Sequence, residues 1–145
     1  MKITFGQWEG EKLVVEVHGY VQDKYDNYYD ANWMRVSMEI RAGKFSGNTD
    51  ALFMTAELVK FAQQLRELYQ SLEGTAEFKT MENQLNLKVS GDGKGHMKIA
   101  GEVRDDASLG NRLIFSFDLD QTFIKQSLNE LEKIISTFPV REVKQ

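Results

Sequence analysis

The chain has 145 residues, a formal net charge of −4, one proline and no cysteine. The missing cysteine excludes a disulfide scaffold, a thiolate metal site and a cysteine nucleophile. An aromatic content of 11 % with a small net charge excludes a disordered chain, and one domain over residues 1–145 is expected.

Ile3 and Phe5 open a short strand. Leu13, Val15 and Val17 alternate with Val14, Glu16 and His18, as a half-buried strand does. Met34, Val36, Met38 and Ile40 alternate with Arg35, Ser37, Glu39 and Arg41, the clearest strand of the chain. Residues 43–48, GKFSGN, supply turn chemistry, and Ala51 to Met54 return as the next strand. Leu58, Phe61, Ala62, Leu65, Leu68, Tyr69 and Leu72 then fall at steps of three and four, which predicts a helix over about 56–72. Thr55 is its expected cap, Glu57 complements its dipole, and Gly74 is its expected stop.

The pattern then returns to strands. Phe78, Leu85 and Leu87 mark two of them, with Glu82-Asn83 as a turn between. Met97 and Ile99 mark a third, and Leu113, Phe115, Phe117 and Leu119 a fourth. A second helical stripe follows over about 121–137: Ile124, Ser127, Leu128, Leu131, Ile134, Ile135 and Phe138. Asp120 is placed to cap it and the lone Pro139 to end it. The fold class is therefore α+β, with about 7–8 largely antiparallel strands in a twisted sheet and two helices lying on it. Strands 33–41 and 51–54 with helix 56–72 echo strands 96–104 and 112–119 with helix 121–137. A duplicated β-β-α unit explains this order, and so does the common habit of placing a helix after a hairpin.

Few residues carry chemical signals. His18 and His96 sit on polar strand faces without the spacing of a zinc site, and read as solvated strand residues before general bases. Residues 90–96, SGDGKGH, look phosphate-like in composition, but a strand follows where a phosphate loop needs a helix. No catalytic residue, metal ligand or cofactor is assigned. The first ten residues lack the apolar run of a secretory signal, and no stretch approaches 18 apolar residues. A cytoplasmic protein without a membrane segment is expected. No run of Lys and Arg offers a direct nucleic-acid surface.

The most unusual segment is residues 20–33, YVQDKYDNYYDANW. It holds four of the five tyrosines, one of two tryptophans, and three aspartates against one lysine. Asp23, Tyr25, Asp26, Tyr28, Tyr29, Asp30 and Trp33 are candidate partner-binding residues. Aromatic rings supply rigid contact area, and the carboxylates steer a basic partner. Rings that merely cover a sheet edge while the aspartates stay wet would look the same in sequence.

The chain resembles the WapI family of bacterial immunity proteins. The resembling pieces are Asn32-Trp33, residues 43–47, the helix positions Phe61, Leu65, Leu68 and Leu72, residues 74–78, residues 91–96, residues 120–123, and Phe138-Pro139-Val140. The resemblance implies a small cytoplasmic protein that binds and neutralises the toxin domain of a contact-dependent polymorphic toxin, in the founding case a tRNA nuclease. It carries over no binding residues. Two other readings stand beside it: a small hydrolase or ligand-binding domain using His18 or His96 with a carboxylate, and a homodimer formed through a sheet face that two helices leave uncovered.

Overall fold

A computed structural model describes residues 1–7 and 9–144. It has the expected α+β class with eight antiparallel strands, and these divide into two meanders. The first sheet has the order β1 (Lys2–Gly6), β2 (Lys12–Tyr20), β3 (Trp33–Ala42) and β4 (Phe45–Met54). The second has the order β5 (Glu73–Lys79), β6 (Leu85–Asp92), β7 (His96–Arg104) and β8 (Arg112–Asp120). A short helix α1 (Tyr28–Asn32) joins the two expected helices, α2 (Thr55–Ser71) and α3 (Gln121–Thr137).

The alternation read from sequence sets the inner face of each sheet. Val15, Val17, Val36, Met38, Ile40 and Phe53 are buried in the first, and Phe78, Leu87, Val89, Ile99 and Phe117 in the second. Both sets join one apolar cluster with Leu58, Phe61 and Leu65 of α2 and Ile124, Leu131 and Ile134 of α3. Four rings connect the layers: Phe5–Phe61 at 6.0 Å, Phe61–Phe78 at 5.2 Å and Phe53–Phe78 at 5.1 Å between centroids. Such tilted and edge-on pairs suit the ring quadrupole.

Three local expectations are corrected. The turn after β3 is two residues, Gly43-Lys44, and β4 begins at Phe45 rather than Ala51. Gly43 at φ +59° takes the left-handed backbone that so tight a hairpin needs. Thr55 is not the cap of α2 but its first residue. Met54 stands outside, and Glu57 Oε1 accepts the Met54 N–H at 2.6 Å. The helix ends at Leu72, left-handed at φ +63°, and Gly74 already lies in β5. By contrast Asp120 caps α3 as read, accepting the Thr122 N–H at 2.8 Å, and Pro139 follows directly on the Phe138 C-cap.

The two halves match over more than a β-β-α unit. Each is a four-strand meander followed by a 17-residue helix. Each helix leaves its own sheet: α2 lies along β5, α3 lies along β1, and the helices touch. Gln64 and Glu130 are both the tenth residue of their helices. Gln64 Oε1 accepts the Glu77 N–H of β5 at 2.9 Å, and Glu130 Oε1 accepts the Thr4 N–H of β1 at 3.1 Å. Arg66 and Glu132, both at the twelfth position, pair with each other. Equivalent residues meeting across the helix contact define an approximate internal twofold.

Candidate partner-binding surface

The halves differ most between their second and third strands. Three residues, 93–95, join β6 to β7, whereas twelve residues, 21–32, join β2 to β3. The insertion is the tyrosine- and aspartate-rich segment. A structural repeat explains the scaffold, so the segment that breaks the repeat is where a function-bearing loop is expected.

The insertion is held at both ends. Asn27 caps α1, its Oδ1 accepting the Asp30 N–H at 2.9 Å while its Nδ2 donates to Asp30 Oδ2 at 2.9 Å. Asn32 is fully buried. Its Nδ2 donates to the carbonyls of Tyr28 and Arg141, both at 2.9 Å, and its Oδ1 accepts from Thr55 Oγ1 at 2.6 Å and the Arg141 N–H at 2.8 Å. One side chain thus ties α1, the start of α2 and the chain after α3. Tyr20 adds a second clasp. Its hydroxyl donates to the Pro139 carbonyl at 2.5 Å and its ring meets Phe138 edge-on at 5.5 Å. The Arg141 guanidinium lies 3.4 Å from the Tyr20 ring centroid and 5.1 Å from that of Tyr25, and donates to the Gln22 carbonyl at 2.8 Å. Burial pushes the Tyr20 phenol above its ordinary pKa, and the Arg141 charge opposes that shift.

The candidate residues divide into groups. Asp23, Asp26, Tyr28 and Tyr29 are exposed, and the Tyr28 and Tyr29 rings meet edge-on at 5.8 Å. Tyr25 is half-buried beneath Arg141, and Asp30 is half-buried against Asn27. Trp33 stands apart. It opens β3, and alternation sets it on the outer face of the first sheet with Arg35, Ser37 and Glu39.

That outer face carries a cluster absent from the sequence reading. A bulge between Val17 and Gly19 leaves His18 out of register and exposed. His18 Nε2 lies 2.6 Å from Ser37 Oγ, Ser37 Oγ donates to Asp50 Oδ1 at 3.1 Å, and His18 Nδ1 lies 3.7 Å from Glu16. Two open grooves of about 400 and 470 Å³ adjoin at Ser37 and Asp50. A hydrolase needs a nucleophile, a base and oxyanion donors. The first two are present, but β3 is an inner strand whose N–H groups belong to the β2 and β4 ladders. His96 Nδ1 lies 3.2 Å from Asp92 Oδ2. Both histidines therefore have a neighbouring carboxylate. The Gly-rich stretch beside His96 is a hairpin loop: Asp92 Oδ1 accepts the Lys94 N–H at 2.7 Å, which holds that carboxyl below its ordinary pKa. Among the described residues no three metal-ligating side chains converge, and no helix is long and apolar enough to cross a membrane.

One signal for the Ser37–Asp50 contact was present in the sequence. A two-residue turn at Gly43-Lys44 sets the register that puts Ser37 opposite Asp50. No pattern announces Asn32 as a clasp, because its partner Arg141 is 109 residues away.

The scaffold is thus an α+β fold of two matching four-stranded meanders, with one acidic and aromatic insertion between β2 and β3. A scan against protein families matches residues 3–139 to the Immunity protein WapI-like family, and the chain belongs to that family. No curated protein matches it.

Proposed function

We propose that the chain is a non-enzymatic immunity protein that binds a cognate toxin domain and neutralises it by occlusion. The contact surface is the insertion: Asp23, Tyr25, Asp26, Tyr28, Tyr29 and Asp30, with Trp33 at its base. One observation carries the reading. The twelve residues that break the internal repeat are rich in exposed tyrosine and aspartate, and are clasped by Asn32, Tyr20 and Arg141. Ordering this loop before binding lowers the entropy lost on association. Tyr28 and Tyr29 supply the anchors. The aspartates raise the encounter rate with a basic surface, as a nuclease that handles phosphates presents. Such a toxin would be met in the cytoplasm, with no cofactor required.

Co-expression with the neighbouring toxin fragment tests the proposal. Rescue of growth and recovery of a complex are expected, and failure of both would sink it. Replacing Asp23, Asp26 and Asp30 with Asn should slow association and flatten its salt dependence. Unchanged kinetics would move the site elsewhere. The His18–Ser37 contact favours one other reading, a hydrolase. It requires turnover of a small ester that Ser37→Ala abolishes while leaving toxin binding intact.

A further inference from the structure

Each sheet has two edges, and an edge strand presents unpaired N–H and C=O groups that can template pairing with another chain. Side chains clip three of the four edges. On β1, Ser127 Oγ donates to the Thr4 carbonyl at 2.5 Å and Glu130 accepts the Thr4 N–H. On β5, Gln64 accepts the Glu77 N–H, and on β4, Gln84 Nε2 donates to the Asp50 carbonyl at 3.0 Å. Among the described residues no helix side chain hydrogen-bonds the β8 main chain in this way. The helix that follows it, α3, crosses to β1 of the other sheet. β8 is nine residues long, contains no proline and pairs with β7 without a bulge. Its one edge-blunting device is charge, and its three charged residues, Arg112, Asp118 and Asp120, lie toward its two ends and leave 113–117 uncharged.

We propose that β8 pairs antiparallel with β8 of a second copy of this chain, joining two four-stranded sheets into one of eight strands about a twofold axis. The order of charges along the strand selects this occupant. β8 begins with Arg112 and ends with Asp118-Leu119-Asp120. Antiparallel self-pairing sets the start of one strand against the end of the other, so each arginine meets a carboxylate. Asp120 is committed to capping α3, whereas Asp118 is exposed opposite Lys98 of β7, with no ion pair within 4 Å among the described residues, so it can still take up a cation from a partner strand. The register therefore sets Arg112 opposite Asp118 of the partner subunit, with the axis at Phe115. Arg112 is half exposed and reaches Glu102 at 3.6 Å, and its five N–H donors leave capacity for a second carboxylate. This register keeps Leu113, Phe115 and Phe117 on one face in both copies, so the two cores lie on the same side. Ile114, 72 % exposed, comes to lie against Ser116 of the partner subunit. A single strand pair is a small interface, so the dimer forms in a concentration-dependent way.

Sedimentation of the full chain from about 10 μM to about 1 mM tests this, and a rising dimer fraction is expected. Asp118→Arg sets two arginines against each other at both symmetric positions and should weaken association about tenfold. Adding Arg112→Asp should restore it, with circular dichroism confirming the fold of each variant. Ser116→Cys provides the chain's single thiol for a nitroxide. The distance between labels should be short, set by a diagonal cross-strand separation of about 7–8 Å plus the label arms. A monomer at every concentration overturns the proposal. So does a dimer that ignores Asp118→Arg, or one whose labels lie far apart. None of these readouts involves the toxin, so their failure leaves the proposed function standing.

Discussion

At the scale of single residues, buried polar groups do the fastening. Asn32 satisfies two carbonyls, one N–H and one hydroxyl from three separate parts of the chain. Truncation to Ala leaves the buried Thr55 hydroxyl and the part-buried main-chain groups of Tyr28 and Arg141 without this partner. Each orphaned group costs about 1–3 kcal/mol, so Asn32→Ala should lower stability by on the order of 3 kcal/mol in urea unfolding. The same variant should loosen the insertion and speed toxin dissociation. Glu130 is fastened differently. Burial holds its carboxyl above the ordinary glutamate pKa, against the Thr4 hydrogen bond and Lys133, which pull it down. Burial does the same to Glu57, against its hydrogen bonds from Met54 and Met81. A raised folded pKa contributes stability below the unfolded value, about 4.3, and that contribution is lost as pH rises through the folded value. Asp92 and Asp120 are lowered by hydrogen bonds, chiefly from the Lys94 N–H and the Thr122 hydroxyl. Their contribution is lost at the acid end, as pH falls through their folded values. Stability measured by urea unfolding from pH 4 upward should therefore decline through the Glu57 and Glu130 window. Glu130→Gln should flatten that decline and keep the Thr4 contact, since glutamine already fills the matching position at Gln64.

At the scale of elements, the helices act as edge covers as much as core layers. The Ser127 hydroxyl sits in the apolar stripe of α3, where sequence reads it as one polar residue among leucines and isoleucines. The structure turns it onto the Thr4 carbonyl and the Phe123 carbonyl. Ser127→Ala removes one of the two clips on β1 and should cost about 1–3 kcal/mol. Native-state hydrogen exchange should show faster exchange across Lys2–Gly6 while the second sheet is unaffected. Gly91 shows why one resembling residue is glycine. A Cβ there would stand 2.4 Å from the Leu72 carbonyl, where the chain leaves α2 and turns into β5. The periodicity made strands and helices legible over most of their length. The start of α2 moved by one residue because the Glu57 carboxylate, three residues on, accepts the Met54 N–H in place of a capping hydroxyl.

At the scale of the whole molecule, the two halves interlock. Each half ends in a helix that packs on the first strand of the other, and Phe61 of α2 touches Phe5 of one half and Phe78 of the other. Neither half keeps its core closed alone. Separate fragments 1–72 and 73–145 should each lack cooperative unfolding, and mixing them should restore a native circular dichroism spectrum in a 1:1 complex. Two independently folded fragments would show that the helix exchange adds little.

The α+β class, the eight strands, the two long helices and the polar character of residues 20–33 follow from local periodicity and composition. Those signals act over a few residues and survive in a linear reading. The echo between halves was visible in element order but not in its full extent, because the first strand pair of each half carries few matching residues. The division into two sheets, the crossing of α2 and α3, the His18–Ser37–Asp50 chain and the Asn32 clasp were decided only by tertiary structure. Each depends on which strand edge or backbone group a distant side chain reaches. Asn32 and Arg141 stand 109 residues apart, and nothing local distinguishes that asparagine from one facing water.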